Sequence, residues 1–402
     1  MTEGWSLARL DELGNGQRPV LKAGPFGSSI TKATYVQNGY KVYGQQEVVS
    51  GDAFSGSYYI DQELFEQLST CDVEPGDVLI TMMGTVGRVL LVPEGAERGI
   101  INPRLMRLTL DSQKVDPEYA CYFLSSSAMQ RLMERRAHGG TMPGLNAEAI
   151  ASIRLPLPPL PEQRKIAEIL RTWDEAIDAC ERLIERKQKR LDGLRESLIF
   201  GRMRTNGAHR NWKPRRLAEV TCELTGRNAD NTLGRESVMG VTKARGIVPM
   251  REATVADDIG RYKRLPPHAF AYNPMRINVG SIAMNDHGQD VLVSPDYVVF
   301  TCIQGKLDPD YLNNLRRTPW WMHYINSGGS GSVRQRTYYD DLAAMQLPLP
   351  DIAEQTAISE ILNTAQSDLS WTQKQMEFLS QQKRGLMQKL LTGDWRVKVG
   401  GN

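Results

Sequence analysis

The chain is short of the residues from which most enzyme sites are built. Of its 402 residues only five are cysteine and five are histidine. The cysteines stand singly at 71, 121, 180, 222 and 302, and the histidines at 138, 209, 268, 287 and 323. Neither set has the spacing of a zinc site or a disulfide framework, which argues for reduced cysteines in or near a core and against a metal centre. No apolar run is long enough to cross a bilayer, and the opening stretch from Met1 to Gly16 lacks the basic-then-apolar pattern of a secretion signal, so a cytoplasmic protein is expected. Excess charge is missing too: 49 basic residues against 47 acidic ones leave a net charge of +2. Any surface for nucleic acid must therefore be a local patch.

Signatures of catalysis are equally scarce. Nothing fits the phosphate-binding G-x-x-x-x-G-K-[ST] loop, a nucleophile elbow or a His-Glu-x-x-His helix. Asn273-Pro274-Met275-Arg276 shares its first two residues with the Asn-Pro-Pro-aromatic loop of adenine methyltransferases, but the second proline and the aromatic are missing. With no glycine-rich turn for S-adenosylmethionine beside it, it reads as an ordinary turn. Acids such as Asp61 and Glu63 make no nuclease cluster.

What the chain does have is a helix written twice. Residues 153–201 and 345–393 align without a gap: Leu155-Pro156-Leu157-Pro158 with Leu347-Pro348-Leu349-Pro350, Glu162-Gln163 with Glu354-Gln355, Gly193-Leu194 with Gly385-Leu386, and Gly201 with Gly393, all 192 residues apart. One shared spacing over such a length marks an internal duplication. Stepping by four and three residues gives Ile166, Leu170, Trp173, Ile177, Cys180, Ile184, Lys187, Leu191, Leu194 and Leu198 in the first copy. The second gives Ile358, Leu362, Ala365, Leu369, Thr372, Met376, Leu379, Lys383, Leu386 and Leu390. Seventeen of these twenty are apolar, where composition alone would give roughly eight. Such a stripe predicts a coiled-coil seam that neither copy can bury alone, because each exposed Leu or Ile forgoes on the order of 1.5 to 3 kcal/mol. Pro161, together with Asp351 and Glu354, suits the helix starts, and Gly201 and Gly393 suit the stops. If the intervening segment is compact, the two helices run antiparallel, as a spacer of about 58 Å at 1.5 Å per residue.

The segments before each helix repeat one another in outline. Strands are expected at Asp77–Thr81 and Gly87–Val92, joined by residues 82–86, and at Arg104–Leu108. A helix is expected from Asp116-Pro117 to about Arg136. In the second half, Leu307-Asp308-Pro309-Asp310-Tyr311 matches Val115-Asp116-Pro117-Glu118-Tyr119 at the same spacing, and Trp212 to Leu217 echoes Trp5-Ser6-Leu7. The middles agree poorly: residues 240–246 and 272–280 have no close counterpart upstream. A repeat that keeps its frame while its inserts differ places variation on a binding face. The tail, Gly393-Asp394-Trp395-Arg396-Val397, resembles a bridge back to Gly4-Trp5, which would make the arrangement nearly circular. The domains expected are 1–152 and 204–344 as recognition segments, with 153–203 and 345–402 as linker and long helix. The fold class is α/β: two α+β domains separated by paired antiparallel helices, with an internal pseudo-two-fold.

Polar, glycine-rich and arginine-bearing loops recur in both halves. In the first half the candidate DNA contacts are Gly24, Phe26, Gly27, Ser28, Ser29, Gln45, Gln46, Thr85, Arg88, Asn102 and Arg104. In the second they are Lys243, Arg245, Arg276, Asn278, Ser330, Arg334 and Arg336. Glycine lets a backbone approach a phosphate, Gln and Asn can pair with adenine edges, and Arg can pair with guanine.

Two variable segments, each followed by Leu-Pro-Leu-Pro, Glu-Gln and a long helix, resemble the specificity subunit of type I restriction-modification enzymes over nearly the whole chain. Gly24-Pro25-Phe26-Gly27-Ser28, Pro75-Gly76-Asp77-Val78-Leu79, Tyr272 to Arg276 with Val279-Gly280-Ser281, and Val293 to Phe300 also look like that family. The resemblance implies a non-catalytic chain whose two target-recognition domains each read half of a split sequence in double-stranded DNA. It also implies a methyltransferase (M) subunit in two copies carrying S-adenosylmethionine, and a restriction/translocase (R) subunit using Mg and ATP. The charged face of the first helix, with Arg164, Arg171, Glu181, Arg182, Glu185 and Arg186, is a candidate dock. About 58 Å of helix corresponds to roughly 17 base pairs at most, so half-sites about one helical turn apart are expected. Deleting seven residues from one helix is then expected to shorten the spacer alone. Two rivals remain: a coiled-coil DNA-binding regulator that works without an enzyme partner, and a self-sufficient methyltransferase.

Overall fold

The computed structural model describes residues 4–26, 29–137, 144–205, 212–243, 245–327 and 336–398. Contacts divide the chain into two compact units, residues 1–180 with 375–402, and residues 181–374. The division falls inside the two long helices, not at their ends. The segments 1–152 and 204–344 each share a unit with about half of each long helix.

In the first unit, Ser6–Arg9 pairs antiparallel with Arg154–Leu157, which ties the start of the chain to the Leu-Pro-Leu-Pro stretch. The frame is a four-stranded antiparallel sheet in the order Leu21–Ala23, Leu105–Leu108, Val78–Thr81, Val89–Leu91. A second sheet holds Tyr59–Ile60, Tyr40–Tyr43, Gly99–Ile101 and Asp72–Val73, with one parallel pairing, between Tyr40–Tyr43 and Gly99–Ile101. Val78, Ile80, Met106 and Leu108 pack on Tyr119, Phe123 and Leu124, and on Ile166, Leu170 and Leu390 of the long helices. The helix expected over 117–136 is two helices, Pro117–Ser125 and Ser127–Arg136. Ser126 has extended backbone, and its hydroxyl accepts the N–H of Met129 at 3.4 Å, so the serine caps a new helix where the pattern suggests continuation.

The second unit keeps the frame. Lys213–Arg216 pairs with Gln346–Leu349, and Thr221–Glu223, Val298–Cys302, Phe270–Tyr272 and Ile282–Met284 form a four-stranded antiparallel sheet in the corresponding order. The additions differ. In place of the mixed sheet stand two separate pairs, Met239–Thr242 with Gly246–Pro249 and Lys263–Leu265 with Val291–Val293.

The long helices are Leu160–Ile199 and Ile352–Thr392. All twenty seam positions are buried or half-buried. Direction is read within each unit. In the first, Glu162 meets Arg396 at 2.8 Å and Asp174 meets Lys383, so one helix ascends as the other descends. In the second, Lys187 meets Asp368 at 2.7 Å and Arg204 meets Glu354 at 2.7 Å, again antiparallel. The three polar seam residues are accounted for: the Lys187 ammonium donates to the Thr372 hydroxyl at 2.9 Å, and Lys383 pairs with Asp174 over the Tyr122 ring.

Glu-Gln at each helix start repeats its contacts as well as its letters. Gln163 donates to the carbonyls of Pro158 and Lys114 and accepts from the N–H of Asp116. Gln355 does the same with Pro350, Lys306 and Asp308. Glu162 receives both Arg396 nitrogens, and Arg396 lies over the Trp5 ring; Glu354 receives both Arg204 nitrogens, and Arg204 lies over Trp212. The tail therefore does reach back to Trp5.

Candidate nucleic-acid interface

In the first unit, three loops separated in sequence meet beside the frame sheet. Gly44 ends a strand, and the Glu47 carboxylate accepts its N–H at 2.8 Å, which starts the short helix Gln45–Ser50 and presents Gln45 and Gln46. The Gln45 amide donates to the carbonyl of Met83 in the turn between Val78–Thr81 and Val89–Leu91. Its oxygen accepts from Arg104 at 3.4 Å. Asn102 takes the N–H of Arg104 at 2.9 Å while its own N–H is held by the Tyr43 carbonyl, fixing that loop to the strand before Gln45. Gln45, Asn102 and Arg104 are thus one cluster, with Gln46 and Arg104 exposed.

Thr85 and Arg88 are exposed in the same turn, which Thr81 braces by donating to the Thr85 carbonyl and accepting the Arg88 N–H at 2.8 Å. Gly24 joins the cluster for a different reason from the one its residue type suggests. It is buried, and a Cβ there would lie 1.9 Å from the Asn102 carbonyl oxygen, so the close approach it permits is to the protein's own backbone. Phe26 is 91% exposed, and Ser29 folds its hydroxyl onto the Phe26 carbonyl at 2.9 Å. Gly27 and Ser28 lie outside the described residues.

In the second unit the candidates also converge. Lys243 and Arg245 are exposed in the turn of the Met239–Pro249 hairpin. The hairpin lies against the 273–281 loop: a Cβ on Gly280, at φ +90°, would lie 3.1 Å from the Lys243 side chain, and the Ser281 hydroxyl donates to the Val241 carbonyl. Arg276 and Asn278 project from that loop, both exposed. Asn273 caps it by accepting the Met275 N–H at 2.9 Å, so Asn273-Pro274 is the turn expected. Thr337 donates to the Pro274 carbonyl at 3.1 Å, which brings Arg336 to the same place, where its guanidinium donates to the Tyr338 hydroxyl. Ser330 and Arg334 lie outside the described residues.

The sequence reading missed Arg316 and Arg317. They follow the helix Pro309–Leu315 and line a cavity with Lys243 and Arg245. Their one advance signal is an arginine pair where the first half has Leu124 and Ser125 at the repeat spacing.

Among the described residues no cluster of His, Cys, Asp and Glu could hold a metal ion, and no helix is long and apolar enough to cross a membrane. The charged face on the first long helix, Arg164, Arg171, Glu181, Arg182, Glu185 and Arg186, is exposed, with Arg171 paired to Glu118 at 3.1 Å.

Comparison with known proteins shows what this arrangement is similar to. The family model described as the type I restriction modification DNA specificity domain matches residues 5–187. The chain is 23% identical over 362 residues to the putative type I restriction enzyme MjaX specificity subunit of Methanocaldococcus jannaschii, covering 85% of this chain and 83% of that one. It is also 23% identical over 350 residues to the MjaVIII specificity subunit of the same organism, covering 81% and 80%. The chain is similar to type I restriction-modification specificity subunits over most of its length. Its fold agrees: the S subunit from M. genitalium superposes with a TM-score of 0.61 at 15% identity, over 96% of both chains. A chain from a study of complex assembly in the type I system gives 0.56 at 17% identity, over 98% of this chain and 99% of that one. The two loop clusters are built on one repeated frame.

Proposed function

We propose that this specificity subunit reads a bipartite sequence in duplex DNA, one half with each recognition domain, and lends that address to active sites on other chains. The observation that carries the proposal is the duplication itself. The four-stranded frame and the Glu-Gln anchorage recur in both halves, while the elements added to the frame differ. A shared frame with different additions suits two readers of different sequence. Exposed Gln46, Arg104, Arg276 and Asn278 are of the types that pair with base edges.

The partners follow from the division of labour. An M subunit, in two copies to match the two repeats, carries S-adenosylmethionine and methylates adenine; an R subunit uses Mg and ATP. This chain is non-catalytic and acts in the cytoplasm. The exposed charged face of the helices is the dock for M, and the helix pair sets the unspecified spacer.

The decisive experiment exchanges residues 1–152 for the corresponding segment of another specificity subunit and maps methylated adenines across a genome. One half-site changes and the other stays. Seven-residue deletions at facing positions of the two helices shorten the spacer and leave both half-sequences intact. A change in both half-sequences after the exchange rules the proposal out.

A further inference from the structure

Within the second unit, Lys243, Arg245, Arg316 and Arg317 line a cavity of about 460 Å³ together with Asp286, Asn313, and Gln366 and Ser370 of the second long helix. Four cations face one carboxylate. Among the described residues, none of the four lies within salt-bridge distance of an acid. The arginines are held in place by neutral groups instead. Arg316 donates to Asn313 at 2.9 Å and to the Ile282 carbonyl at 2.9 Å, and Arg317 donates to Gln366 at 3.2 Å. Burial first, then the neighbouring charge of Arg317, push the pKa of Arg316 down, with Asp286 opposing. Concentrated positive charge, oriented by neutral partners, is the arrangement expected of an anion site.

The repeat sharpens the assignment. At the repeat spacing, the first half carries Leu124 and Ser125 opposite Arg316 and Arg317, and the hairpin that holds Lys243 and Arg245 is one of the additions that differ between the halves. The charge is therefore peculiar to the second half and is not part of the duplicated frame. Its position between the hairpin and two helices favours a sequence-independent ligand, because Asn313, Gln366 and Ser370 on those helices are not among the base-reading candidates.

We propose that this cavity clamps a backbone phosphate of the DNA and anchors the second recognition domain without reading sequence. The inference rests on the DNA-recognition reading above. Phosphate contacts fix register and orientation and carry no sequence information themselves. Each one lost removes about 0.9 from the slope of log affinity against log salt.

The test uses the full chain assembled with its methylation partner. Binding to a duplex carrying the mapped target, and to one with both half-sites scrambled, is titrated across salt for wild type, Arg317→Gln, Arg317→Lys and Ser370→Glu. Ser370→Glu places a carboxylate in the cavity without touching an arginine, and guards against misfolding of the arginine variant. The expected result for Arg317→Gln is an affinity lower by about tenfold on both duplexes, a salt slope reduced by about one, and an unchanged methylated sequence. Ser370→Glu behaves alike, and Arg317→Lys restores most of the slope. Unchanged affinity and slope in Arg317→Gln and Ser370→Glu overturn the clamp. So does an altered second half-site, which makes Arg317 a base reader. Failure of the wild-type complex to prefer its mapped target over the scrambled duplex overturns the recognition reading itself.

Discussion

The side-chain carbonyl of Gln163 accepts the backbone N–H of Asp116 at 2.9 Å, the residue that caps the helix Pro117–Ser125. One amide thus joins the first turn of a long helix to the frame of a recognition domain, and Gln355 makes the same joint to Asp308 at 2.8 Å. Gln163 is 1% exposed and has three partners, so no water replaces them when the side chain is removed. Gln163→Ala is expected to destabilise the first unit by about 1–3 kcal/mol through unpaired buried groups. Thermal unfolding checks this, with Gln355→Ala giving a similar loss in the second unit.

The tail latch is expected to be sensitive to acid. Burial pushes the Glu162 carboxyl up, but Arg396, the Val397 N–H and Trp5 outweigh it and leave the pKa below the usual carboxylate range. A carboxylate held down in the folded state stabilises it above the ordinary value, and that stabilisation is lost as pH falls through the folded value. Glu162→Gln is therefore expected to melt below wild type at pH 7, with the two curves converging below about pH 4. Parallel melting curves across that range would falsify the latch as a pH-dependent contact.

Much of this architecture was legible in advance because a duplication is self-checking: Ile166 and Leu170 predict Ile358 and Leu362, and all four are fully buried. Strands at Val78–Thr81, Val89–Leu91 and Leu105–Leu108 followed from short apolar runs between turns. The break at Ser126 did not, because a serine that caps a new helix and one tolerated inside a helix have the same letter. The candidate sites were half legible. Residue type singled out Gln45, Asn102 and Arg104, but only the fold shows that they touch. Gly24 had the right type and a structural reason, the nearness of Asn102. Arg316 and Arg317 escaped because the cavity they line is shared with Lys243 and Arg245, some seventy residues away.

Polar seam contacts are expected to trade stability for register. Lys187 bonds Thr372 and Asp368 in a seam whose other positions, Lys383 apart, are apolar. Removing one partner leaves the other poorly satisfied, so Thr372→Val alone is expected to cost about 1 kcal/mol. Lys187→Leu with Thr372→Val replaces the pair by packing and is expected to melt at or above wild type, since a desolvated ionic contact gains little over an apolar one. A double-mutant cycle on unfolding checks the coupling, and strict additivity of the two changes would contradict the contact.

Recognition by the first domain is expected to fail locally. Arg104 is exposed, positioned by Asn102 and in contact with Gln45. Arg104→Ala is expected to cost about 1–3 kcal/mol in binding to the cognate duplex, the range for one good base contact, and to relax the first half-site only. Gln45→Ala acts on the same half-site but also loosens the Met83 turn, so its effect on stability is larger. Methylation mapping with each variant checks both statements. Under the proposed assignment of one half-site to each reader, the second half-site serves as an internal control. A relaxed second half-site in Arg104→Ala would mean that the first cluster does not read DNA independently, and the assignment of one half-site to each domain would have to be abandoned.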